Sequence, residues 1–190
     1  MRRAIAFSVL ALAAAFGQEF KLGSKVTGFN VQDLNGGSAS FSSLRGAVTV
    51  VTFVSVRCPV SNAYNERMNA VYRDYSAKGV KFIFVNANSN ESASDVREHA
   101  KSVGFAFPVY KDPNNELADR FNAQVTPESY VIDESGVIRY HGQIDDSQNE
   151  SRVSARRLRA ALDALLAGNP VTAQETKAFG CSIKRARRSS

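Results

Sequence analysis

Two cysteines hold the thiol chemistry open to this chain, and they are its only cysteines. Cys58 follows a β-branched run, residues 47–55 (AVTVVTFVS), and directly precedes Pro59. That pattern places the sulfur where a buried strand gives way to a helix. Backbone N–H groups and the positive helix end face such a junction and favour the thiolate, the reactive form of cysteine. Arg57 adds a neighbouring positive charge, and Cys58 is expected to titrate below its ordinary range. The alternative is an inert buried cysteine at a strand end. Three positions on stands Ser61, which closes no disulfide; it can cap the helix or donate a hydrogen bond to the sulfur. Exchange within a Cys-x-x-Cys pair is therefore excluded.

Cys181 lies 123 positions after Cys58, beside Gly180, in a segment without strong periodicity that could fold back. Three readings stand open. Cys181 resolves an oxidised or mixed-disulfide form of Cys58, the favoured reading; or the two form a permanent clamp; or both stay free thiols.

The remaining polar residues read as structural. His99 is expected as a solvated helix residue, and His141 as a satisfied histidine on a strand. Glu128, Asp145 and Asp146 read as surface or turn carboxylates, with Glu128 close enough to Pro127 to tune Cys58. Arg156, Arg157 and Arg159 form one wet face of the last helix, and Tyr64 is core. Two Cys and two His are too few for a usual four-ligand zinc site, so neither metal nor organic cofactor is expected.

The chain that must position these groups has 190 residues, 44% hydrophobic and 22% charged, which suits one globular domain and excludes a disordered chain. Met1-Arg2-Arg3, an uncharged run over residues 4–16 and a small-residue exit at Gly17 read as a secretory signal, residues 1–17. The run is too short for a bilayer span, and no second one follows, so an exported, periplasmic or extracellular protein without a membrane anchor is expected. The domain then covers residues 18–170, followed by a tail, 171–190. Losing Arg2 and Arg3 lowers the net charge from +6 to +4. Lys184, Arg185, Arg187 and Arg188 hold that excess in the tail, which is expected as a solvated end. No basic patch interleaved with aromatics suggests nucleic acid.

Periodicity supplies the elements. Residues 28–44 read as a hairpin about Asn35-Gly36-Gly37. Residues 47–55 and 80–85 read as central strands, and residues 105–110 as a short one. Tyr64, Met68, Val71, Tyr72 and Tyr75 share a helix face that begins after Pro59 and ends at Gly79. Val96, Ala100 and Val103 mark a second helix. Asp112-Pro113 opens a third, through Phe121. Strands at 130–133 and 137–141 flank a turn, and Leu158, Ala161, Leu162 and Leu165 form the last helix. The order predicts an α/β sandwich with a mixed central sheet.

The segments 46–61, 86–88, 126–133, 136–142 and 180–185 give this order a closer likeness. Strand–Cys58-Pro59-Val60-Ser61–helix followed by Thr126-Pro127 resembles the thioredoxin superfamily, and within it the exported redoxins related to alkyl hydroperoxide reductase and thiol-specific antioxidant proteins. The resemblance covers roughly residues 23–185 and implies a three-layer sandwich with helices flanking the sheet. It implies a cis peptide before Pro127, with Thr126 and Pro127 shaping a cleft beside Cys58. It further implies a thiol–disulfide oxidoreductase with Cys58 as nucleophile, acting on a protein thiol or disulfide and served by a reducing thiol protein. The alternatives are a peroxiredoxin-like peroxidase acting on peroxide and a non-catalytic binding module. Against the peroxidase, Ser55 fits the hydroxyl position of the Pro-x-x-x-Thr/Ser-x-x-Cys motif, but Val51 replaces its proline.

Overall fold

The computed structural model describes residues 18–187. The expected leader, residues 1–17, and Arg188 lie outside the described residues. Strands β1 (Asn30–Gln32) and β2 (Ser38–Ser40) form the expected hairpin. The Asp33 side chain ties its turn by accepting from the N–H groups of Asn35 and Gly37 at 2.7 and 2.9 Å, and Gly36 takes a φ of 90° there. Helix α1 (Phe41–Leu44) follows, capped by Ser40.

The centre of the molecule is β3 (Thr49–Phe53) beside β4 (Lys81–Asn86), paired in parallel. Their alternation sorts the core. Val50, Phe82 and Phe84 join one apolar cluster, while Val51, Phe53, Ile83 and Val85 join another on the opposite face. That is why neither strand shows polar alternation: both faces are covered. Three further strands and the hairpin complete a mixed sheet: β5 (Val109–Lys111), β7 (Glu128–Ile132) and β8 (Ile138–Gly142), with the hairpin at the far edge, in the order β2-β1-β5-β4-β3-β7-β8. The two-residue β6 (Val125–Thr126) lies outside this sheet.

Helices α3 (Asn65–Ser76), α4 (Ala93–Ser102) and α6 (Arg157–Leu166) send Met68, Val71, Val96, Leu158 and Leu162 into the first cluster. On the other face α5 (Glu116–Arg120) and α1 supply Leu117, Ala118 and Phe41, joined by Phe20 and Val26 of the N-terminal segment. The result is the three-layer α/β sandwich expected from the sequence.

Three element boundaries differ from the sequence reading. The helix after Pro59 is split into a single turn, α2 (Pro59–Asn62), and α3, with Ala63 and Tyr64 between them. Tyr64 is pinned at the break because its hydroxyl donates to Asp145 at 2.9 Å and Arg67 lies 3.7 Å over its ring. The strand expected from residue 105 begins only at Val109. Phe107 stacks on Phe84 and Phe105 on Phe107 instead, and the Ala106 N–H goes to Asn69 Oδ1 at 2.9 Å. Asp112 does not sit at the helix start; Asn115 does. Asp112 still serves the helix from outside by accepting the N–H groups of Leu117 and Ala118 at 3.2 and 2.9 Å.

The tail is not a loose end. Val171 and Ile183 are buried, and β9 (Cys181–Ser182) pairs antiparallel with β6.

Phe121 meets the rings of Phe20, Phe29, Phe53 and Tyr130 at centroid distances of 4.8 to 6.0 Å. Replacing it leaves a cavity at the meeting point of N-terminal segment, α5 and sheet. Phe121→Ala is expected to cost about 3–5 kcal/mol in urea unfolding. A loss under about 1 kcal/mol would contradict this packing.

Candidate active site

The β3–β7 register sets the site. Phe53 faces Glu128, so Thr126 and Pro127, just before β7, come level with the chain leaving β3. That chain runs through Ser55, Val56 and Arg57 to Cys58. Cys58 occupies the N-cap of α2, with Pro59 at the first helical position as expected. Its sulfur accepts the Ser61 N–H at 3.3 Å, and its own N–H goes to Ser55 Oγ at 3.1 Å. The Ser61 hydroxyl accepts the Ser55 N–H at 3.1 Å. Because α2 is a single turn, support for negative charge on Cys58 rests on that one N–H rather than on a long helix dipole.

Cys58 and Cys181 form a disulfide, with Cα atoms 5.8 Å apart, within the ordinary range. The free-thiol reading is thus set aside for this state. The Thr126–Pro127 peptide is cis, as the resemblance implied. The Thr126 carbonyl oxygen lies 3.5 Å from the Cys58 sulfur. In the disulfide this is a contact without a proton; in the dithiol form the oxygen can accept the Cys58 S–H. Thr126 also holds the tail, pairing with Cys181 across β6 and β9, while Val125 pairs with Ser182. Gly180 is required by this approach: a Cβ there would stand 1.9 Å from the Thr126 carbonyl oxygen.

The Arg57 guanidinium is committed to Asp95 at 2.9 Å on the surface. The positive charge expected beside Cys58 is therefore balanced by a carboxylate, and Arg57 serves the site through its backbone.

The group that organises this loop is Glu91, only 3% exposed. One carboxylate oxygen accepts the Ser55 hydroxyl at 2.6 Å and the Arg57 N–H at 3.0 Å; the other accepts the Val56 N–H at 3.1 Å and the Asn86 side-chain amide. Burial raises its pKa, but these hydrogen bonds outweigh it and hold the carboxyl below its ordinary value of 4.5. Lys111, also buried, donates to Asn86 Oδ1 at 2.6 Å and to the Glu91 and Asn88 carbonyls at 2.7 and 3.1 Å. The same loop holds the tail: Asn88 Oδ1 accepts the Lys184 N–H, and the Ser89 N–H donates to the Lys184 carbonyl, both at 2.9 Å.

Glu128 is buried, contrary to a surface role. It accepts the Gln124 and Val125 N–H groups at 2.8 and 3.0 Å, which fixes β6, and it meets His141 Nε2 at 2.5 Å. Burial raises its pKa, and bonds from His141, Val125 and Gln124 more than reverse this. His141 stacks on Tyr130 and is a satisfied histidine, as expected. His99 is half-buried against Phe105 rather than solvated. Asp145 is buried and bound by Arg67 at 2.8 Å, not a solvated turn residue. Arg185 of the basic tail is likewise engaged, by the Ala123 carbonyl at 2.6 Å and Asp119 at 3.0 Å.

Glu91, Lys111 and the asparagines around them escaped the sequence reading of the site. The one available signal was the 86–88 segment, singled out for its resemblance and not for its burial.

Comparison with known proteins agrees with this geometry. A model described as the AhpC/TSA family matches residues 22–141, more than half of the chain. The thiol–disulfide oxidoreductase ResA of Halalkalibacterium halodurans is 27% identical over 122 residues, 64% of this chain and 68% of its own length. Among solved structures, an uncharacterized conserved protein from Geobacillus kaustophilus superposes with a TM-score of 0.82 at 31% identity, covering 90% of this chain and 95% of its own. A hypothetical protein from Sinorhizobium meliloti gives 0.80 at 29% identity, over 89% and 97%.

Two predictions follow from the loop and the tail. Glu91→Gln sets an amide N–H₂ against N–H donors and is expected to cost about 1–3 kcal/mol at pH 7. The lowered carboxyl of Glu91 contributes stability that is present above 4.5 and is lost as pH falls toward its folded pKa. The wild type should therefore lose stability below pH 4.5 more steeply than Glu91→Gln in parallel urea melts. Asp112, raised by burial, acts with the opposite sign in both proteins. Equal acid slopes would remove Glu91 from this role. Separately, Gly180→Ala should push Cys181 off Thr126 and shift the equilibrium with glutathione at least tenfold toward the dithiol. An unchanged equilibrium would show that the close approach is not needed.

Proposed function

The chain belongs to the AhpC/TSA family, and from that membership and the site geometry we propose that it is an exported thiol–disulfide oxidoreductase whose working redox couple is Cys58–Cys181. It is a thiol-dependent oxidoreductase of the redoxin type. The observation that carries the cysteine assignment is the bond between a loop cysteine and a tail cysteine directly beside the cis Thr126–Pro127 peptide. Ser61, Pro59, Thr126 and Pro127 shape the site around that bond, and the Arg57 N–H helps Glu91 hold the loop.

The reaction is thiol–disulfide exchange. A thiolate attacks one sulfur of the couple, a mixed disulfide forms, and the other sulfur leaves as thiolate; a second thiolate from the partner completes the two-electron transfer. The substrate is a protein thiol or disulfide, and a reducing thiol protein supplies electrons where substrate is reduced. No metal or organic cofactor enters these steps.

Exchange is favoured over peroxide reduction by the commitments of Ser55. Its hydroxyl, which fits the peroxidase motif, accepts from the Cys58 N–H and donates to Glu91. Export is supported by the leader-like residues 1–17 and by the pairing of both cysteines, which suits an oxidising compartment. Among the described residues no helix is long and apolar enough to cross a membrane.

Equilibrating the full chain in glutathione buffers and counting thiols by mass should give one two-electron transition. Insulin disulfides should be reduced with dithiothreitol faster than by dithiothreitol alone, and Cys58→Ser should abolish the gain. A Cys58–Cys181 bond that survives strongly reducing buffer would make it a structural clamp and end this reading. Hydrogen peroxide consumption far above that of free cysteine, without insulin reduction, would replace it with a peroxidase.

A further inference from the structure

The two sulfurs of the couple are not equally placed. Cys58 is 2% exposed, enclosed by the Ser55–Ser61 loop, the Thr126 carbonyl and the tail, whereas Cys181 is partly exposed. An incoming thiol therefore meets the partly exposed Cys181 more readily than the buried Cys58.

The tail is also fastened on both sides of Cys181 by contacts that do not involve sulfur. Upstream, the His141 N–H donates to the Gln174 carbonyl at 2.8 Å, the Thr176 N–H donates to the His141 carbonyl at 2.9 Å, and Phe179 packs on Tyr64. Downstream, Ile183 is buried in the core with its N–H on the Gln124 carbonyl at 2.9 Å. Lys184 is bound through both backbone groups to Asn88 and Ser89, Arg185 through its guanidinium to Ala123 and Asp119, and Ala186 through its N–H to Asn115 Oδ1 at 2.6 Å. Cutting the S–S bond removes one link among many.

We propose that the tail stays docked after reduction and that Cys181 is the sulfur that exchanges with the partner, while Cys58 is the internal thiol that makes and breaks the bond to it. This rests on the redox reading above and reverses the order of roles that the chain position of Cys58 suggested.

In the oxidised chain a partner thiolate attacks Cys181 Sγ. The partner–Cys181 bond forms, the Cys58–Cys181 bond breaks, and its electron pair leaves on Cys58, where the Ser61 N–H meets the charge at 3.3 Å. The partner's second thiolate then attacks its own sulfur in the mixed disulfide and releases Cys181 as thiolate. The partner departs oxidised by two electrons and the chain is reduced by two. In the opposite direction Cys181 attacks a substrate disulfide, and Cys58 then attacks Cys181 and frees the substrate thiols.

The test uses the full chain and oxidised glutathione as probe. Cys58→Ser, which keeps Cys181, is expected to form its mixed disulfide at least tenfold faster than Cys181→Ser, which keeps Cys58. Equal rates or the reverse order would overturn the proposal. A measurement free of substitutions guards against misfolded variants. In reduced wild type, limiting iodoacetamide should label Cys181 first on peptide mapping, and the amides of Ile183, Lys184 and Ala186 should stay protected from hydrogen exchange. Labelling of Cys58 first, or rapid exchange at those amides, would mean that the tail lets go. A chain that cycles through Cys58 alone sinks this inference and leaves the oxidoreductase standing; a chain that never cycles sinks both.

Discussion

The Glu91 carboxylate lies beneath the loop that leads to Cys58, and nearly every polar group there answers to it. The loop after β3 must leave the sheet without strand partners, so its N–H groups need acceptors inside the protein. Glu91 receives those of Val56 and Arg57, and through the Ser55 hydroxyl it reaches the Cys58 N–H. Removing this acceptor would leave several buried donors unsatisfied at once, which costs more than any single bond contributes. The charge is tolerated because those hydrogen bonds meet it, and Lys111 is buried alongside, bonded to the Glu91 carbonyl and to Asn86, which itself donates to the carboxylate. Burial lowers the Lys111 pKa and the negative charges of Glu91 and Asp112 pull it back.

The loop that carries Glu91 also carries Asn88 and Ser89, which hold Lys184 of the tail. The two cysteines are thus positioned from a common support although they are far apart in the chain. Glu128 gives a second support by binding the N–H groups of Gln124 and Val125, so that β6 stands in place to pair with β9. The sheet fixes both supports: β4 delivers Asn86, and the register of β7 against β3 delivers Glu128 opposite Phe53.

How much of this was legible in the sequence depends on which force set each feature. The strands over 49–53 and 81–86 were readable because burial on two faces demands continuous apolar runs, and the last helix because one buried face imposes a helical period. The cis Thr126–Pro127 peptide and the neighbourhood of Cys58 came from resemblance rather than from pattern. Glu91 was not legible: in a stretch rich in Ser and Asn, a buried acceptor looks the same as a solvated turn residue. The same holds for Glu128 and Asp145, whose partners lie on other elements. Arg57 failed for the converse reason, since adjacency in sequence says nothing of where a long side chain points, and Asp95 lies 38 positions away. The tail has no period because its order comes from single contacts with several different segments.

These placements bear on what sets the redox poise of the couple. The Ser61 N–H favours a thiolate at Cys58, while the Thr126 carbonyl at 3.5 Å favours the protonated thiol. With Arg57 drawn off to Asp95, its charge does not tip the contest strongly. The equilibrium between disulfide and dithiol then depends less on thiol acidity than on how firmly Cys181 is held against Cys58. A docked tail makes ring closure an intramolecular step at high effective concentration, and each anchor adds to it. Anchors that persist in the dithiol state favour the oxidised form without new contacts to sulfur, because the ordering of the chain has already been met by Ile183, Lys184 and Ala186. The buried polar groups around Glu91 therefore act on the redox reaction through position, by keeping the loop and the tail in the one arrangement in which two sulfurs meet.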